Sequence, residues 1–85
     1  MLLIVDLFCN EGDFPVTALR EVDAALASLN FRKEVHSVVK PGKQHSVTYD
    51  GPTTEKGRVE EVLRPVADKN GFSFTVDAEE SVKFP

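Results

Sequence analysis

Met1-Leu-Leu-Ile-Val-Asp-Leu-Phe8 is apolar at every position but one. The run is far shorter than the roughly 20 residues a membrane helix needs, and no basic residue precedes it as in a secretory signal. A strand carries apolar side chains on both faces only where both are covered, or where one meets a partner. The segment is therefore predicted as a central strand. Alternation gives Leu3, Val5 and Leu7 to one face, assigned to the core, and Leu2, Ile4, Asp6 and Phe8 to the other.

The flanking sequence supplies the neighbours of such a strand. Cys9-Asn-Glu-Gly-Asp13 has loop chemistry. Pro15 suits the first turn of a helix, where its missing N–H has no partner, and Phe14 before it belongs outside that helix. Over residues 16–29, Leu19, Val22, Leu26 and Leu29 recur at intervals of three and four, which predicts one amphipathic helix stopped by Asn30. Residues 31–39 are rich in β-branched side chains and read as a second strand. Lys40-Pro-Gly-Lys43 reads as a turn into a third strand over residues 45–50. A two-residue loop would place Val47 and Tyr49 with His36 and Val38, and an odd loop with Val35 and Val39. The odd loop is preferred, because it buries two valines and leaves His36 as a polar residue on the open face.

Gly51-Pro-Thr-Thr54 breaks the third strand and offers Thr54 as an N-cap. Val59, Val62, Leu63 and Val66 trace a second helical stripe, with Glu60 and Arg64 as an i,i+4 ion pair. Pro65 removes the hydrogen bond to the Glu61 carbonyl and is predicted to bend the last turn or end the helix early. Asn70-Gly71 closes the segment. Phe72-Ser-Phe-Thr-Val76 then alternates as a last strand with Phe72, Phe74 and Val76 inward, and residues 77–85 read as an edge extension or a frayed tail.

This order of elements, fitted into 85 residues, predicts one α+β domain over residues 1–85 with the ferredoxin-like βαββαβ fold. Right-handed crossovers place both helices on one face of a four-stranded antiparallel sheet of order 4-1-3-2. The other face keeps a stripe of apolar residues bordered by Ser46, Thr48, Ser73 and Thr75. A domain of this size buries only about 60 to 65% of the surface of its unfolded chain. Leu2, Ile4, Phe8, Thr48 and Thr75 are therefore the expected contact of a homodimer, unless the C-terminal tail folds over them.

Ten Lys and Arg against fourteen Asp and Glu leave a net charge of −4, which disfavours nucleic-acid and anionic-lipid partners. Cys9 is the single cysteine and makes no internal disulfide, which fits a reducing, cytoplasmic setting. No Gly-rich phosphate loop, CxxC pair or HxxxH spacing is present, so no cofactor is expected. Asp6, Glu11 and Asp13 are the candidate oxygen ligands for a Mg²⁺-like ion, but acids in a solvated loop are ordinary and no bound metal is expected. Adjacent strands would bring Cys9 near His45 as a thiolate and imidazole pair; a buried cysteine and a surface histidine are the simpler reading.

Leu2-Leu-Ile-Val-Asp6 and the stretch Leu29-Asn-Phe31 give the chain a topological likeness to small ferredoxin-like ribonucleases: it resembles the CRISPR-associated endonucleases and the antitoxin endoribonucleases. The resemblance implies Asp6 as a metal ligand paired across a dimer axis. Those families have an aromatic residue before the aspartate and arginines soon after it, where this chain has Val5 and no basic residue until Arg20. The leading expectation is thus a small, non-enzymatic interaction or regulatory domain that forms a homodimer through the open sheet face or an edge strand. The alternative is a metal-dependent ribonuclease, and a small-molecule sensor using the end of the sheet is a third reading.

Overall fold

The computed structural model describes residues 1–9 and 12–79. Its elements are β1 (Leu2–Phe8), α1 (Ala18–Ala27), β2 (Arg32–Lys40), β3 (Gln44–Asp50), α2 (Lys56–Asn70) and β4 (Ser73–Glu79). Every pairing is antiparallel and the strand order is β2-β3-β1-β4, the topology expected from the sequence.

The core forms where the alternation of β1 predicts it. Leu3, Val5 and Leu7 are fully buried against Val47 and Tyr49 of β3 and Val76 of β4. Ala18, Val22 and Leu26 of α1 and Val59, Leu63 and Ala67 of α2 close over them. Each large side chain buried in this way contributes about 1.5 to 3 kcal/mol of apolar transfer. Leu2, Ile4, Asp6 and Phe8 are half-buried on the opposite face. No helix among the described residues is long and apolar enough to cross a membrane.

The helix ends follow local chemistry. Pro15 and Val16 accept from the amides of Ala18 and Leu19, so the proline opens a tight turn ahead of α1. Asn30 takes the left-handed conformation expected of it, at φ 66°, and Gly71 does the same after α2 at φ 70°. Thr54 does not cap α2. Its hydroxyl donates to the Pro52 carbonyl (2.9 Å), and Glu55 occupies the cap position with no side-chain bond. Nor does Pro65 end the helix early: α2 runs on to Asn70. Beyond the proline, Ala67 is buried and its carbonyl accepts from Gly71 and Phe72, while Asn70 Nδ2 donates to the Val66 carbonyl (2.9 Å). These contacts hold the last turns against the loss of one backbone bond. Glu60 and Arg64 lie 4.0 Å apart as the i,i+4 pair.

The hairpin between β2 and β3 overturns one expectation. The connection is an odd loop, Pro41 to Lys43, with Gly42 at φ 73° and Lys43 N donating to the Lys40 carbonyl. The register shifts at Val39, an extra residue on β2, and again at Glu34, and no valine of the strand is buried. The first shift turns Val35 to the open face opposite Thr48 and sets His36 opposite Val47, on the helix side. Val35, Val38 and Val39 remain 55%, 55% and 51% exposed. Of the predicted tail, 77–79 continue β4, and 80–85 lie outside the described residues, as does any cover they give the open face.

Candidate functional site

The end of the sheet where β1 stops gathers the loops from three parts of the chain. Cys9 N donates to the Lys43 carbonyl (3.0 Å), Phe14 N to the Gly42 carbonyl (2.8 Å), and the Lys43 ammonium to the Gly12 carbonyl. The turn after α2 joins them, with the Cys9 thiol 3.8 Å from the Gly71 carbonyl. Phe8, Cys9, Lys40, Lys43 and Gln44 line a hollow of about 260 Å³ at this corner.

The histidines occupy the neighbouring part of the helix side. His45 is 8% exposed, and its ring lies 5.0 Å from that of Phe14, which in turn lies 5.2 Å from Phe72. A buried imidazole needs a polar partner. The shift at Val39 provides it: His36 Nε2 lies 2.8 Å from His45 Nδ1. Burial, and then the neighbouring His36, hold the His45 pKa below its ordinary value, so its ring stays neutral at neutral pH. The Cys9 and His45 pair, the less favoured reading, does not form, since His45 is bonded to His36 and Cys9 faces Gly71. Cys9 is buried as expected, but His45 is buried too and is not the surface histidine expected. His36 likewise does not lie on the open face.

Two further polar clusters brace the helices. Tyr49 OH donates to Asp23 Oδ1 (2.5 Å), and Lys33 Nζ bonds Asp23 Oδ2 (3.0 Å), so one carboxylate of α1 holds β3 and β2 together. Burial and the Asp23 contact push the Tyr49 pKa well up, which keeps the phenol a donor. Glu21 accepts from Lys69 (2.6 Å) and Asn70 (2.9 Å), tying α1 to the end of α2. Those hydrogen bonds hold its carboxyl below the usual carboxylate range.

Two of the three candidate metal ligands are among the described residues. Asp6 lies on the open face between Ser46 and Thr75, Asp13 sits beside Gly42, and Glu11 lies outside the described residues. Among the described residues, no three His, Cys, Asp or Glu side chains are placed to hold one ion. The candidate contact residues do share the open face. Ile4 lies beside Thr48, Leu2 beside Asp50 and Glu79, and Phe8 beside Gln44 and Ser73, with Thr75 one row away next to Asp6. The His36–His45 pair was missed in the sequence because its signal is a bulge: without the extra residue at Val39, the two rings would point to opposite faces.

No protein-family model and no curated protein sequence matches the chain. Solved structures do match its fold. A formyltetrahydrofolate deformylase from Burkholderia mallei superposes with a TM-score of 0.71 at 9% identity, over 89% of this chain and 27% of that one. The regulatory subunit of aspartate kinase from Thermus thermophilus gives 0.62 at 18% identity, over 89% and 50%. A protein of unknown function from Galdieria sulphuraria gives 0.63 at 16% identity, over 99% and 47%. The chain thus spans from about a quarter to half of the length of these proteins. The likeness is one of fold, and neither the deformylase nor the aspartate kinase subunit is a ribonuclease.

Proposed function

We propose that this chain is a small, non-enzymatic regulatory domain of the ACT-like kind, and that it works as a homodimer joined edge to edge through β2. The observation that carries the reading is the state of that strand. All nine of its residues are exposed, including the three valines at more than half. Val35-His36-Ser37-Val38-Val39 contains no Asp, Glu, Lys or Arg and no proline. Natural edge strands are protected by charge, by proline, by bulges or by a covering helix. Val35-His36-Ser37-Val38 has no charge, no proline and no helix over it, and the two register shifts of β2 fall at its ends, at Glu34 and Val39. Of its flanking charges, Arg32 pairs with Glu34 (3.3 Å) and Lys33 with Asp23 (3.0 Å), and Lys40 stands at the hairpin end of the strand. At the other edge, β4 carries Asp77 and Glu79, which would repel a second copy.

Pairing at β2 also brings the open faces of two copies into one continuous surface. Val35, Thr48 and Ile4 form a row across that face, so Thr48 would lie one strand from the joint, whereas Leu2, Ile4 and Phe8 on β1 and Thr75 on β4 lie two and three strands from it on the same open face, outside the edge contact. The regulatory reading draws support from the fold shared with the Thermus regulatory subunit. Sedimentation equilibrium over a wide concentration range tests the assembly. Wild type is expected to populate a dimer, and a Val35→Lys/Val38→Lys double variant to stay monomeric with an unchanged circular dichroism spectrum. A 9.4 kDa species at every concentration would refute it.

A further inference from the structure

The His36 and His45 imidazoles form a cluster that the regulatory reading does not use. Their facing nitrogens are 2.8 Å apart, and a single proton serves such a contact, so at least one of them offers a lone pair. Neutral imidazole is the form that binds transition metals. Two nitrogens held at about 2.0–2.1 Å from one tetrahedral ion stand roughly 3.3 Å apart. Widening the pair by roughly 0.5 Å and releasing the shared proton would convert the hydrogen bond into two metal ligands. His36, on the exposed edge strand, is free to make that adjustment, while His45 is held by Phe14.

One chain supplies only half of a tetrahedral set, since no third His, Cys, Asp or Glu joins the two among the described residues. The other half is placed by the position of His36, the central residue of the nine-residue strand Arg32–Lys40. A twofold axis normal to the sheet at the middle of β2 pairs the strand with its own copy in antiparallel fashion and keeps both helix sides on the same side. The two His36 residues are then directly opposed, with Cβ atoms about 4.5–5.5 Å apart, and each brings its own His45. We propose that two copies joined at β2 hold one divalent transition-metal ion between His36 and His45 of one protomer and the same pair of the other. An all-imidazole tetrahedral set suits Zn²⁺. The inference rests on the edge pairing proposed above.

The test is sedimentation and metal analysis of the full chain in EDTA and in Zn²⁺. One zinc per two chains is expected, with a dimer dissociation constant lower by about tenfold or more than in EDTA. His36→Ala, at an exposed position, should keep the fold and the EDTA mass distribution while losing both zinc uptake and the zinc response. His45→Gln should lose them too wherever its circular dichroism matches wild type, and visible spectra of the Co²⁺-loaded wild type should show tetrahedral coordination. Failure of zinc uptake, one zinc on a monomer, or a zinc response that survives in His36→Ala would overturn the inference. A dimer in EDTA that ignores zinc would overturn this inference alone; a chain monomeric in both conditions would overturn the edge pairing with it.

Discussion

β2 and β4 are the two edges of one sheet, and both carry apolar side chains, yet they end in different environments. On β4, Val76 is buried and Phe74 half-buried, with the Arg64 guanidinium of α2 lying 5.9 Å from the Phe74 ring. On β2, no residue is buried although the strand pairs along the length of β3. A ladder of backbone bonds is enough to fix a strand. Only a helix lying over it buries its side chains. α2 covers β4, whereas α1 reaches β2 through the Lys33–Asp23 ion pair. The valines of β2 are therefore surface that the monomer leaves unused.

The sharpest way to break this contrast is to truncate apolar residues on either side of it. Leu7→Ala, at the centre of the covered region, should cost about 2 to 5 kcal/mol in urea unfolding. Val38→Ala should cost less than about 0.5 kcal/mol at dilutions where the chain is monomeric. Comparable losses would mean that β2 packs against the monomer after all. Next in size is Tyr49→Phe, which removes the phenol that Asp23 accepts and should cost about 1.5 to 3 kcal/mol, as for hydrogen bonds to charged groups. A neutral result would show that Asp23 braces the sheet through Lys33 of β2 alone.

Pro65→Ala should stabilise the chain by about 1 to 2 kcal/mol. It restores a bond to the Glu61 carbonyl and loses only part of that gain to a looser unfolded state. Destabilisation would show that the proline shapes the turns lying over β4. Acid should separate two smaller contributions. His45 has a lowered pKa in the folded state, so the unfolded chain takes up its proton first, and stability should fall as the pH drops below the ordinary value of 6.5. His45→Gln should remove that component. Glu21, also lowered, should contribute stability only above the ordinary value of 4.5, lost as the pH falls through its folded value and absent in Glu21→Gln. Smallest of all, Asp6→Asn should change stability by less than about 0.5 kcal/mol, since Asp6 lies on the open face between two hydroxyl side chains.

The covered half of the molecule was legible in the sequence. An apolar run on consecutive positions fixed β1 as a central strand, and Asn30 and Gly71 marked the left-handed stops where the chain takes them. The β2 half was harder to read, for a physical reason. Burying Val35 and Val39 was a sound argument only if a helix lay over them, and whether one does is a tertiary fact that local pattern does not contain. The odd loop was correctly inferred, but a single extra residue at Val39 reverses which side chains share a face. The His36–His45 contact was hidden by the same reversal. Asp6 stood out as a lone carboxylate in an apolar strand, and the structure places it on the open face, half-buried between Ser46 and Thr75.

The pairing of β2 with a second copy is tested most directly by amide hydrogen exchange followed strand by strand as a function of protein concentration. Outward-facing amides within Val35-His36-Ser37-Val38-Val39 should gain protection as the concentration rises through the dimer range, while those along the outer edge of β4 should not. Protection gained on β4, or a dimer that forms while the β2 amides continue to exchange as an open edge, would contradict the account.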